Sequence, residues 1–258
     1  MVGYLGGASA PLSSVVLDGE HSLLVQSYAP QEMMSGVVNA DGFGVGWYVP
    51  DDEEPAVYRS NGSLWSDRSF AGIAPKIRSS TIFAAVRSAT PGLPIEESGV
   101  PPFSSGPFMF MHNGAIEDFR RRAMRPLRDT LSDEAYSGLL GVTDSETIFA
   151  VLLDLLKGDP TDLADAARGT IHHLTTVCER LGVRATLNLA VTDGTMMTFT
   201  RYSTEGEGNS LYFLEDAAAF PGAVIVASER LDGDTGWREV PDRHLLVVEE
   251  GVASLCPL

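Results

Sequence analysis

The sequence predicts an α+β fold, helices layered on antiparallel sheet, and three observations predict it. Short runs of alternating polarity recur along the chain with only turns between them. Two amphipathic helices are embedded among these runs rather than alternating with each strand. No Pro/Gly/Ser-rich linker and no fixed-period repeat divides the 258 residues, so 1–258 reads as one domain.

The elements follow in order. Phe43–Val49 sets Phe43, Val45 and Trp47 on one face of a strand and Gly44 and Gly46 on the other, and glycine repeated on one face implies a neighbour packed very close. After the acidic turn Asp51–Pro55 comes a short strand, AVYRS. Further strands are expected at Thr81–Ser88, Phe108–His112, Thr186–Thr192, Met196–Tyr202, Ser210–Leu214, Ala223–Ser228 and Arg243–Val248. Thr143-Asp144-Ser145-Glu146 has the spacing of a capping box, and Ile148, Phe149, Val151, Leu152, Leu155 and Leu156 then supply an apolar face. A second helix is expected to start at Asp159 and Pro160, to carry an apolar stripe from Leu163 to Leu181, and to stop at Gly182. Shorter helices are expected at Ser69–Arg78 and Asp118–Arg122.

Composition excludes several functions. The 35 Asp and Glu against 18 Lys and Arg give a net charge of −17, which repels phosphate backbones and anionic lipid, so neither nucleic acid nor membrane is an expected partner. With 44% apolar and 21% charged residues the chain can bury a large core. The opening MVGYLGGASA lacks a basic segment before an apolar one, and no apolar run is long enough to span a bilayer. Two cysteines, Cys178 and Cys256, are too few for a disulfide framework, and a cytoplasmic location is expected.

Several chemistries drop out. Gly42-Phe43-Gly44-Val45-Gly46 lacks the third glycine of a dinucleotide fingerprint and lies in a strand, away from any helix N-terminus. The five histidines, at 21, 112, 172, 173 and 244, are scattered, so neither a metal nor a cofactor is expected. Cys178 lies on an apolar stripe and Cys256 near the end of the chain; neither is expected in a basic setting, and both read as unreactive.

Three segments carry chemistry. In Ala85-Val86-Arg87-Ser88-Ala89-Thr90 a buried strand ends in an arginine, which suits either a bidentate clamp on a carboxylate or a structural ion pair. In Phe108–Gly114 a strand is expected to break at Asn113-Gly114, either as a plain turn or as one that offers the Asn113 amide and a backbone N–H to an oxyanion. Thr143–Glu146 serves as a helix cap in any case.

In this order, Arg-x-Ala-Thr, His-Asn-Gly and Thr-Asp-Ser-Glu resemble the glutamine-binding motifs of class II glutamine amidotransferases, which are N-terminal-nucleophile hydrolases. Leu24–Pro30, Asn39–Gly44, Ala227-Ser228-Glu229, Gly236-Trp237 and Val240–His244 extend the likeness along the chain, towards the branch acting on γ-glutamyl conjugates in ergothioneine biosynthesis. The resemblance implies a four-layer αββα sandwich whose N-terminal strand opens into the site, and hydrolysis of a γ-glutamyl amide. It implies that Arg87 holds the substrate's α-carboxylate and Asp144 its α-ammonium, with Thr90 and His112 beside them, and that Asn113 and Gly114 form the oxyanion hole. The implied ligand is glutamine or a γ-glutamyl small molecule; a partner synthase using released ammonia is left open. The family's nucleophile is a cysteine at position 2, attacking with its own α-amine as base. Here that position is Val2, which has no nucleophilic atom. The resemblance is therefore read first as a γ-glutamyl hydrolase whose activity Val2 puts in question, and alternatively as an inactive member that binds glutamine or a γ-glutamyl conjugate.

Overall fold

A computed structural model describes residues 1–33, 38–88, 96–157 and 162–258. In chain order the elements are β1 (Val2–Pro11), α1 (Leu12–Val16), α2 (Leu23–Tyr28), β2 (Phe43–Trp47), β3 (Ala56–Ser60), α3 (Arg68–Ile73) and β4 (Arg78–Val86). Next come β5 (Phe103–Ser105), β6 (Phe108–Ile116), α4 (Met124–Arg128), α5 (Asp133–Ser137), α6 (Asp144–Leu156) and α7 (Leu163–Leu181). The chain closes with β7 (Ala185–Thr192), β8 (Met196–Arg201), β9 (Tyr212–Ala217), β10 (Phe220–Ala227), β11 (Arg238–Glu239), β12 (His244–Glu249) and β13 (Val252–Pro257).

The strands form two antiparallel sheets, one of order β11-β9-β10-β1-β4-β2-β3 and the other β13-β12-β8-β7-β6-β5. Three apolar clusters show how they stack. Phe43, Val45 and Ile82 of the first sheet pack on Leu12, Val15 and Leu23 of α1 and α2 and on Phe70 of α3. Phe110, Leu187 and Leu189 of the second sheet pack on Ile148, Phe149 and Leu152 of α6 and Ile171 and Leu174 of α7. Between the sheets lie Leu5, Phe83, Met109, Met111, Phe199, Val224 and Leu246. The result is the expected sandwich, helix, sheet, sheet, helix. Each large side chain so buried contributes about 1.5–3 kcal/mol.

The glycine face of β2 is where the sheets approach. A Cβ on Gly44 would collide with the Pro101 carbonyl oxygen, and one on Gly46 with the Met109 sulfur of the opposing sheet. These glycines let the 100–102 segment and β6 close over β2.

Three local expectations change. The helix expected at Ser69–Arg78 stops at Ile73, and Arg78 opens β4, whose pairing with β1 competes for those residues. Asp118–Arg122 becomes a π-helical turn, Phe119–Ala123, leading into α4. The cap expected at Asp159 and Pro160 lies outside the described residues; α7 is capped by Asp162, whose carboxylate accepts the Asp165 N–H at 2.7 Å. Gly182 ends α7 in the left-handed conformation, as expected.

Candidate active site

A cavity of about 390 Å³ is lined by the start of β1, the end of β4, the second half of β6, the first turn of α6 and the 209–210 and 228–229 segments. That volume falls in the range of small-molecule sites. Arg87, His112, Asn113, Gly114 and Asp144, named from separate stretches of sequence, all line it. Thr90 lies outside the described residues.

Arg87 follows the last residue of β4, with its backbone bonded to Gly42 and Asp41. Its guanidinium is half-buried, and Nη1 is fully buried without a hydrogen-bond partner among the described residues. Burial lowers its pKa, while Asp41, Glu146 and Asp144 oppose that by favouring the charged form. A half-buried guanidinium on a residue that lines a cavity, with a donor left unused, is suited to an incoming carboxylate.

The capping box at α6 is formed: Thr143 Oγ1 accepts the Glu146 N–H at 3.1 Å, and Glu146 Oε2 accepts the Thr143 N–H at 3.3 Å. It places Asp144 at the first helical position. Asp144 Oδ1 accepts the N–H of Ser145 at 2.8 Å and Oδ2 that of Ile116 at 3.0 Å, which docks α6 onto the end of β6.

His-Asn-Gly does not break the strand. β6 runs on to Ile116 and pairs with β7 from Met109↔Thr192 to Ile116↔Ala185, with Asn113 opposite Asn188. The local turn preference of Asn-Gly yields to eight ladder positions on β7. Glycine at 114 answers a need for space: a Cβ there would run into the Thr186 carbonyl oxygen. On its other side β6 pairs with β5 only as far as Phe110, so the rest of that edge is unpaired by strand. Backbone N–H groups alternate sides along a strand. That of Ile116 points to this edge and meets Asp144, so that of Gly114, two residues earlier, faces the same edge.

His112 Nε2 lies 3.0 Å from the Thr186 carbonyl and Nδ1 3.1 Å from Ser145 Oγ. A carbonyl only accepts, so Nε2 carries a proton and donates it to Thr186. Both ring nitrogens hold protein partners, and the ring braces β6 against β7 and α6.

The start of β1 divides its two residues. Val2 is 0% exposed and packs in the helix-side core with Tyr4, whereas Met1 lies with Leu5 in the core between the sheets and lines the cavity. The Met1 α-amine sits 2.8 Å from Ser228 Oγ; burial lowers its pKa to about 6, partly offset by Glu229. No cysteine lines the cavity. Burial pushes the Cys178 thiol up to about 11. The expectation of no basic neighbour fails for Cys256, whose sulfur lies 3.0 Å from Arg168 Nη2 because β13 brings it against α7, away from the cavity. Among the described residues no three His, Cys, Asp or Glu side chains cluster as metal ligands would. No described helix is long and apolar enough to cross a membrane.

Sequence reasoning gave no role to Asn209, Ser228, Gln26 or Glu229. Glu229 Oε2 meets His21 Nε2 at 2.7 Å and accepts the Gln31 N–H at 2.8 Å, and Gln26 Nε2 donates to the His21 carbonyl at 2.9 Å. Gln26, Ser228 and Glu229 stood in the motifs that carried the family likeness, a signal present but unread. Asn209 lies in the polar stretch between β8 and β9, where no pattern marks it.

Residues 18–220 match the family model of the class II glutamine amidotransferases. The chain belongs to this family. The gamma-glutamyl-hercynylcysteine sulfoxide hydrolase of Mycobacterium tuberculosis is 39% identical over 257 residues, covering 100% of this chain and 95% of that protein. The protein of the same name from Mycolicibacterium smegmatis is 36% identical, covering 98% and 96%. Among solved structures, a glutamine aminotransferase class-II domain protein from Silicibacter pomeroyi aligns with a TM-score of 0.70 at 24% identity, over 99% of this chain and 97% of that one. That likeness shows the fold: the chain is an α+β sandwich of the N-terminal-nucleophile hydrolase type.

Proposed function

We propose that this family member recognises a γ-glutamyl amide of the class its relatives are named for, in the cavity lined by Arg87 and Asp144. Arg87 takes the α-carboxylate, Asp144 the α-ammonium, and the Asn113 amide with the Gly114 N–H faces the carbonyl of the amide, with Thr90 and His112 beside them. The observation that carries this reading is that Arg87, whose half-buried guanidinium keeps an unused donor, and Asp144 line the same cavity. A glutamyl zwitterion needs opposite charges at two fixed points, and an acyl-transfer transition state needs neutral donors at a third.

With valine at the nucleophile position and no thiol lining the cavity, the chain as encoded is a binder first. Any turnover rests on positioning and oxyanion stabilisation, orders of magnitude below covalent catalysis. The second reading, a working hydrolase of γ-glutamyl-hercynylcysteine sulfoxide type, is favoured by the 39% identity to such an enzyme over the whole chain. The free cysteines are consistent with a cytoplasmic setting for either.

The test is calorimetry with glutamine and a γ-glutamyl thioether, beside a hydrolase assay of the natural chain and of Val2→Cys lacking Met1. Binding that Arg87→Ala removes is expected, with turnover only in Val2→Cys, whose thiol must turn from the helix-side core to the cavity once Met1 is gone. No binding of either ligand would sink the binding reading. Turnover by the natural chain would favour the hydrolase, and a folded Val2→Cys with a free N-terminal thiol and no turnover would refute the transferred geometry.

A further inference from the structure

A side-chain amide is ambivalent: rotating it by half a turn exchanges its carbonyl oxygen for its NH2. Asn113 can serve an oxyanion only if the NH2 faces the cavity. The opposite rotamer would set a carbonyl oxygen against developing negative charge. Nothing in Asn113 or its strand neighbours decides between the two.

Asn209 decides it. From the segment between β8 and β9, its Nδ2 donates to Asn113 Oδ1 at 3.0 Å and to the Asn113 carbonyl at 3.3 Å. An NH2 that donates to Oδ1 fixes Asn113's oxygen on the Asn209 side and sends the Asn113 NH2 the other way. Asn209 is anchored in turn: its carbonyl accepts Nδ2 of Asn188 at 2.9 Å, and Asn188, fully buried on β7, stands directly opposite Asn113 in the ladder. Asn188 Nδ2 also reaches the Ser210 carbonyl at 3.3 Å, holding the segment at a second point. Three asparagines thus form a directional chain from the floor of the second sheet, over the 209–210 segment, back to the cavity wall.

We propose that Asn209 is a positioning residue that sets the rotamer of Asn113, so that the cavity presents a donor where a tetrahedral oxyanion would form. The inference deepens the γ-glutamyl reading and rests on Asn113 as its oxyanion donor. It predicts an inversion of the usual order of substitutions. Asn209→Asp is nearly isosteric yet offers only acceptors, so it turns the Asn113 NH2 towards itself and the Asn113 oxygen into the cavity. Asn209→Leu changes shape more but merely releases Asn113.

The experiment compares the affinity of the natural chain, Asn209→Asp and Asn209→Leu for glutamine, which is planar at its amide carbon, and for its γ-sulfonamide analogue, which is tetrahedral. Removing one oxyanion donor costs about 10²–10³ in rate. A ligand that mimics only part of that charge should lose about tenfold or more in Asn209→Asp, less in Asn209→Leu, with glutamine held within about twofold. An unchanged ratio of the two affinities, equal loss of both ligands, or a larger loss in Leu than in Asp would overturn the inference and mark Asn209 as structural. The NMR signals of the Asn113 side-chain amide in ligand-free protein give a second readout. They should move downfield in Asn209→Asp as the NH2 meets a carboxylate, and signals that stay in place would equally overturn it. Failure of the natural chain to bind either ligand would remove the γ-glutamyl reading, while the NMR comparison still decides what Asn209 does to Asn113.

Discussion

The two ends of the cavity are built in opposite ways. At the end formed by β6 and α6 the polar groups are held by other polar groups: Asp144 by Ser145 and Ile116, His112 by Thr186 and Ser145, Asn113 by Asn209. At the end formed by β1, the Val2 side chain is aliphatic and turned into the helix-side core. On the proposed γ-glutamyl reading, the difference assigns recognition and reaction to separate parts of the fold. Recognition would then depend on a network spanning the second sheet and a helix cap, which a change at position 2 leaves in place.

That separation can be broken by experiment. The largest expected effect is at Arg87: replacing it with alanine removes the cation, and affinity for glutamine measured by calorimetry should fall about a hundredfold, about 3 kcal/mol. A loss under threefold would mean that the zwitterion is held elsewhere. Next comes Gly114→Ala, which drives a methyl group into the Thr186 carbonyl and should lower unfolding stability by about 2 kcal/mol, read as a fall in urea midpoint at constant slope. Unchanged stability would show that β6 and β7 are looser at the cavity than the contact implies.

Asp144→Asn keeps shape and first-turn position but drops the charge and can accept only one of the Ser145 and Ile116 N–H groups, so glutamine affinity should fall about tenfold, about 1.4 kcal/mol. Equal affinity would separate Asp144 from the ammonium and leave it only its docking role. The smallest effect is expected from the cysteines. In folded protein at pH 8 a thiol reagent should modify Cys256, which is partly exposed, and leave Cys178 untouched until unfolding, since burial holds that thiol protonated up to about 11. Glutamine binding should survive the modification; its loss would bring a thiol back to the cavity.

Much of the molecule was legible in advance, for reasons that are local. The capping box at Thr143–Glu146 is a contact between residues three apart, so spacing alone specifies it. The close packing on Gly44 and Gly46 was legible because only glycine answers it, although the partners, Pro101 and Met109, were not. His-Asn-Gly was misread as a turn because a dipeptide preference is visible in sequence and the eight positions of ladder on β7 that outweigh it are not.

By itself, then, the sequence determined the strand runs with two embedded helices, the family, a net charge of −17, and the absence of a thiol at position 2. These are properties of composition, of spacing over a few residues, or of identity at one position. The tertiary structure alone decided that Arg87, Asn113 and Asp144 face one cavity, that Val2 turns into the core while Met1 lines the site, and that Asn209 sets the direction of the Asn113 amide. Those facts depend on contacts between residues from 28 to 227 positions apart, and on which way a side chain points from its strand, neither of which a linear pattern encodes.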